Sequence, residues 1–107
     1  MSVKVLPTSK AMPDLSAIAA HVKKYNDAAT ARKVVSALLD EAERLGLEHF
    51  HRIGEELDGY DGPPAREVHR WVCLAGHYGL HYEVLPAYAE EPTAIAILRV
   101  WDTRHDR

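Results

Sequence analysis

Between Ala28 and Leu45 the chain carries Ala31, Val34, Val35, Leu38, Leu39, Ala42 and Leu45 at three- and four-residue intervals. That spacing places them along one side of an α-helix and commits the segment to burying that side against other structure. Asn26 and Asp27 stand just before it, where short polar side chains accept the free amides of a first helical turn. Gly46 stands where a left-handed cap would end it. A second stripe, Leu15, Ile18, Ala19 and Val22, follows Pro13 with the same period and runs out near Tyr25, with Asp14 at the positive helix end. Two such helices joined by so short a turn predict an antiparallel helical hairpin.

The remainder reads as strands and loops. Ser2 to Leu6 alternates around Val3 and Val5 and stops at Pro7, as a first strand does. Leu47 to Pro64 holds Gly54, Gly59, Gly62, the Pro63–Pro64 pair and five acidic residues, the signature of a long connection or a short helical turn, with Phe50, Ile53 and Leu57 as its apolar anchors. Glu67 to Leu74, His77 to Leu85 and Ala94 to Trp101 then read as three strands, separated by Ala75–Gly76 and by the Pro86 to Pro92 loop. In the middle one, Tyr78, Leu80, Tyr82 and Val84 alternate with His77, Gly79, His81 and Glu83, so one face is core and the other wet. In the last, Ile95, Ile97 and Trp101 oppose Ala96, Leu98 and Val100, and a strand apolar on both faces suits a well-covered position. The order β-α-α-β-β-β predicts an α+β fold, a helical hairpin packed on a small, mostly antiparallel sheet, in a single domain over residues 1–107.

Composition narrows the function. The formal net charge of −3 gives no global signal for a polyanion binder. No apolar run reaches the roughly 18 residues of a membrane span, and the N-terminus has no apolar stretch of the secretory kind, so the expected location is the cytoplasm. Cys73 is the only cysteine, which excludes an internal disulfide and a cysteine-pair zinc motif; between Val72 and Leu74 it reads as a buried thiol. Nothing in the pattern calls for a cofactor or a metal, since His49-x-His51 alone is too small a ligand set.

Two stretches carry a resemblance. Gly76 to Val84 reads G-H-Y-G-L-H-Y-E-V, and Ala94 to Arg107 reads A-I-A-I-L-R-V-W-D-T-R-H-D-R. With the D-L-x-x-I of the first helix (Asp14, Leu15, Ile18) and the A-E-R-L that closes the second (Ala42 to Leu45), these are similar to the ParE/RelE toxin family of type II toxin–antitoxin systems over essentially the whole chain. The resemblance implies a growth-inhibiting, plasmid-stabilising toxin held in a hetero-oligomer by a cognate antitoxin, which lays an extended or helical segment over the sheet and hairpin. It also implies two targets: ParE-like members inhibit DNA gyrase without established catalytic residues, whereas RelE-like members cut messenger RNA on the ribosome.

A ribonuclease must activate a 2′-hydroxyl, stabilise a charged transition state and protonate the leaving oxygen, and so needs cations and acid–base groups converging on one surface. Arg66 and Arg70 share a face by their spacing of four, and His77 and His81 share one on the next strand; these four are the candidate catalytic set of the nuclease alternative. Against it, Val72, Cys73 and Leu74 occupy the place before the turn where nuclease relatives carry Arg, and the tail lacks their terminal Tyr or His-Tyr. The resemblance therefore favours the gyrase-binding branch, with Arg99, Trp101, Arg104 and Arg107 as the target- or antitoxin-binding residues. A third alternative is an inactive member that binds only its antitoxin. Arg99, in an apolar strand, requires either an ion pair or an outward role, because an unpaired buried charge costs several kcal/mol. Tyr78 and Tyr82 read as core aromatics with their hydroxyls at the rim, and the two Glu-Glu pairs, Glu55–Glu56 and Glu90–Glu91, as solvated loop residues.

Overall fold

In a computed structural model describing residues 3–47, 50–57 and 65–105, the elements run β1 (Lys4–Pro7), α1 (Ala11–Tyr25), α2 (Ala28–Arg44), β2 (Glu55–Glu56), β3 (Glu67–Cys73), β4 (Tyr78–Leu85) and β5 (Ala94–Asp102), closing on a 3-10 turn, Thr103–His105. The strands form one mixed sheet in the order β1-β5-β4-β3-β2, in which β1 pairs parallel with β5 and every other pair is antiparallel. The architecture is the expected α+β one, with β2 added. The acidic connection thus contributes an edge strand, Glu55 opposite Arg70 and Glu56 opposite His69. Its other features, Gly59, Gly62 and Pro63–Pro64, lie outside the described residues. Among the described residues no helix is long and apolar enough to cross a membrane.

Each helix buries the centre of its expected stripe, Leu15, Ile18 and Val22 with Ala11 on α1 and Ala31, Leu38 and Ala42 on α2, while Val34 and Val35 are half-buried and Leu39 is exposed. The buried residues meet Tyr78, Leu80, Tyr82, Val84, Ile95, Ile97 and Val100 of the sheet in one core. Fully burying a side chain such as Leu38, Leu80 or Ile95 is worth about 1.5–3 kcal/mol. Asp27 caps α2, its carboxylate accepting the Thr30 amide at 2.7 Å. Helix α1 starts at Ala11, before Pro13 and not after it, so Pro13 is its third residue, where a missing amide hydrogen removes no intrahelical bond.

Gly46 does not act as a left-handed cap. It is absent from the positive-φ glycines, which among the described residues comprise Gly76 alone. Its role is close approach: Val3 donates its amide to the Gly46 carbonyl at 2.7 Å, and a Cβ at Gly46 would lie 2.5 Å from the Val3 carbonyl oxygen. The anchoring of the following loop also differs from expectation. Ile53 is exposed, and the segment is held by the polar groups of Arg52 and Gly54 instead.

One irregularity in β5 decides what the outer face of the sheet displays. Tyr82 pairs with Ile97 but His81 pairs with Arg99, so Leu98 is an extra residue, a β-bulge. Unbroken alternation would put Ile95, Ile97, Arg99 and Trp101 on one face, as the sequence suggested for the apolar three. The bulge reverses the phase after Ile97, so Val100 opposes Leu80 in the core while Arg99 and Trp101 turn outward with His81 and Gly79.

Candidate functional site

The register aligns Arg70 with His81 and His81 with Arg99, so three basic side chains cross β3, β4 and β5 in one row on the face away from the helices. His81 is half-buried. Burial, and then the charges of Arg70 and Arg99, hold its imidazole below the ordinary value and favour the neutral ring. Trp101 lies beside it, edge-on at 4.6 Å between ring centroids. The indole rests over Gly79, where a Cβ would stand 2.3 Å from its ring carbon, so only glycine allows that packing.

Of the four residues of the nuclease reading, Arg70 and His81 stand opposite each other, but Arg66 and His77 do not join them. Arg66 and Arg70 stand four apart as expected, but His77 lies in the turn after β3, outside β4, which carries His81. Arg66 sits at the opposite end of the hairpin; β3 has seven residues, so the two are separated by roughly 23 Å at about 3.3 Å per residue. The arginines are also engaged. Arg66 donates to both carboxylate oxygens of Glu83 at 3.1 and 3.0 Å, and Arg70 donates to Glu55 at 2.9 Å. Glu55 and Glu56 face solvent as expected, but on a strand and with partners: Glu55 pairs with Arg70 and Glu56 accepts the Tyr88 hydroxyl.

The binding residues of the other reading gather at the C-terminal end of β5. Arg99 donates to both oxygens of Asp14 at 2.6 and 3.1 Å, and the Val100 amide donates to the same carboxylate at 2.9 Å. Burial, the largest influence on Asp14, opposes its ionisation, but the Arg99 and Val100 hydrogen bonds and the Arg99 charge together outweigh it and hold the carboxyl below the usual range. The Arg99 side chain nevertheless remains 57% exposed, because the bulge turned it outward. Between α1 and this strand end lies a groove of about 330 Å³ lined by Asp14, His21, Arg99, Trp101 and Asp102. Arg104 chelates Asp102 and reaches the Tyr78 hydroxyl at 3.3 Å. Arg107 lies outside the described residues.

A separate apolar groove, of about 160 Å³, runs between β1 and the hairpin; Val5, Pro7, Leu39 and Ile97 line it, and Leu6, Leu39 and Leu47 are exposed. Strand β1 is the outermost strand there, so its free edge adjoins that groove.

Tyr78 and Tyr82 are core aromatics. Burial raises both phenols, that of Tyr82 to about 12, and the Tyr82 hydroxyl accepts the Gly54 amide at 3.0 Å. Cys73 is a buried thiol pushed up to about 11 by burial and by the Glu41 charge. Among the described residues no group of three metal-ligating side chains occurs; His49 lies outside them, and His51 donates through Nδ1 to the Leu45 carbonyl at 2.9 Å.

Sequence reasoning passed over one cluster. Glu67 and His69 are buried on the helix-facing side of β3, with Arg52 donating to Glu67 at 2.7 and 3.1 Å and the Tyr88 amide at 2.6 Å. Burial acts most strongly on Glu67 and opposes its charge; the Arg52, His69 and Tyr88 hydrogen bonds overcome it and keep the carboxyl below its ordinary value. Alternation was the available signal, because Glu67 and His69 share phase with the core residue Cys73.

The family model that describes the ParE toxin of the type II toxin–antitoxin system parDE matches residues 5–107. Among solved structures, a chain of the chromosomal ParDE toxin–antitoxin system from P. aeruginosa superposes with a TM-score of 0.70 at 20% identity, covering 94% of this chain and 96% of that one. A chain of the RelBE2 toxin–antitoxin complex from Mycobacterium tuberculosis superposes with a TM-score of 0.57 at 22% identity, covering 95% of this chain and 99% of the other. A comparison with curated proteins finds no match.

Proposed function

Because the chain belongs to the ParE toxin family of type II toxin–antitoxin systems, we propose that it is a single toxin domain that arrests growth by binding DNA gyrase and trapping it on DNA, and that a cognate antitoxin neutralises it. The observation that carries the choice of target is the failure of Arg66, Arg70, His77 and His81 to converge. A phosphoryl-transfer centre needs its cations and acid–base groups within a few ångströms of one phosphate, whereas Arg66 and His77 stand beyond opposite ends of the seven-residue β3, roughly 23 Å apart, and both arginines pair with carboxylates. The net charge of −3 agrees, since affinity for the ribosome would draw on excess positive charge.

A binding toxin needs only a shaped surface. Arg99, Trp101 and Arg104 supply candidates for one at the end of β5: two exposed arginine side chains and an aromatic ring packed over Gly79. Aromatic and Arg residues are the types that carry binding energy at protein interfaces. We assign that surface, with Arg107, to gyrase. The groove between β1 and the hairpin is apolar and lies beside a free strand edge, the two features that a helix or an added strand of an antitoxin exploits. The ParDE and RelBE2 neighbours, named for systems of toxin with antitoxin, support that partner.

Expression in growing bacterial cells tests the reading. Growth arrest with broken chromosomes and intact messages, relieved by the co-expressed antitoxin, is the expected result. Arrest with messages cut in the ribosomal A site and unbroken chromosomes would favour the nuclease alternative, and undisturbed growth would favour an inactive member.

A further inference from the structure

His69 and Glu67 lie against each other with side chains only 5% and 1% exposed. The His69 ring has an oxygen at each nitrogen: Gly54 O is 3.0 Å from Nδ1, and Glu67 Oε2 is 2.6 Å from Nε2. A carbonyl oxygen only accepts, so Nδ1 brings a proton to Gly54. The Glu67 carboxylate also accepts from Arg52 Nε at 2.7 Å, from Arg52 Nη2 at 3.1 Å and from the Tyr88 amide at 2.6 Å. An oxygen pair surrounded by that many donors is an ionised acceptor, so Nε2 must bring a proton as well. Either neutral tautomer would set a nitrogen lone pair against an oxygen lone pair in a site that water does not relieve.

We infer that His69 is a buried imidazolium, and that Arg52, Glu67 and His69 form a cation–anion–cation triad acting as a proton-dependent latch. The latch fastens the segment carrying Arg52 and Gly54, and the loop carrying Tyr88, onto the start of β3. The groups facing the ring come from every neighbouring element. Arg52 and the Gly54 carbonyl approach from the loop before β2, and Tyr88 from the loop after β4. Glu56 of β2 bonds the Tyr88 hydroxyl and acts on the Arg52 charge. Tyr82 of β4 stacks on the His69 ring at 5.3 Å with 14° between planes, a face-on contact that suits a cationic ring. Loss of the ring proton abolishes one of the two hydrogen bonds and sets a nitrogen lone pair against an oxygen, so the latch is closed while the ring is protonated and loosens when that proton is lost. It does not depend on which target the toxin binds.

The test uses the full chain labelled with ¹⁵N. A long-range ¹H–¹⁵N correlation at neutral pH is expected to show both His69 nitrogens in the protonated range. His69→Gln identifies the resonances; should that variant not fold, through-bond correlation from the His69 Cβ in the unaltered chain does so. One protonated and one bare nitrogen on His69 overturns the proposal. Amide exchange supplies the second readout. As pH is raised through loss of the ring proton, the protection factors of Gly54 and Tyr88 should fall at least tenfold relative to those of β4 and β5. Protection that stays constant relative to those strands overturns the latch.

Discussion

Asp14 of α1 and Arg99 of β5 meet at 2.6 Å across 85 positions of sequence, at the point where β1 has ended and β5 continues with a strand on its β4 side alone. The same carboxylate accepts the Val100 amide, so it substitutes for the missing strand as well as pairing with the cation. The two roles differ in energy. An exposed guanidinium pair contributes about 0–1 kcal/mol, while an unsatisfied, partly buried amide costs about 1–3 kcal/mol. Asp14→Ala should therefore lower stability by about 2 kcal/mol and Arg99→Ala by less than about 1 kcal/mol. Urea denaturation of the two variants checks the order; equal losses would assign the value to the ion pair.

The indole of Trp101 occupies the space that any side chain at position 79 would need. Gly79→Ala should destabilise by about 1–3 kcal/mol, as overpacking does, and should displace the surface assigned to gyrase. In a Trp101→Ala background the same change should cost much less, because the clash is gone. A double-mutant cycle measures this, and additive losses would contradict the packing.

Acid sensitivity should trace chiefly to two carboxylates, beside the exposed Asp27 that caps α2 and is also held below its ordinary value by its hydrogen bonds with Thr30. Glu67 and Asp14 are both held below their ordinary values in the folded chain. A depressed carboxyl stabilises the fold above the unfolded-state value, and that contribution is lost as pH falls through the folded one. Melting temperature should thus be flat near neutrality and fall on acidification. Glu67→Gln should remove about 3–5 kcal/mol at neutral pH, since it strips the buried anion from two cations, and should flatten the acid limb. Melts of both proteins across the acidic range decide this; an unchanged acid limb in the variant would place the sensitivity elsewhere.

The helices and the three late strands were legible because burial imposes periods of 3.6 and 2 that this sequence keeps without interruption from Leu15 to Val22 and from Tyr78 to Val84. The outer face was not. A strand apolar on both sides gives no phase to read, so the extra residue at Leu98 left no trace, and Arg99 looked like a charge inside the sheet when the bulge carries it outside. Gly46 misled for a different reason: a glycine after a helix suggests a left-handed turn, and here it admits the Val3 carbonyl. The acidic loop concealed β2 and the Glu67 cluster because their cohesion comes from charge pairing across 15 positions, which has no period. Of the candidate site, sequence located the residue types, but only the register separated His77 from His81 and joined His81 to Arg99.

The central claim is that this chain disables gyrase by binding it. The measurement that bears on it most directly adds purified chain to a gyrase supercoiling reaction and, in parallel, to a coupled translation reaction. Supercoiling should stop, with DNA trapped on the enzyme, and the antitoxin should restore it; Arg99→Ala and Arg104→Ala together should weaken the block at least tenfold while messages stay whole. Supercoiling that proceeds unhindered beside freshly cut messages would contradict the account.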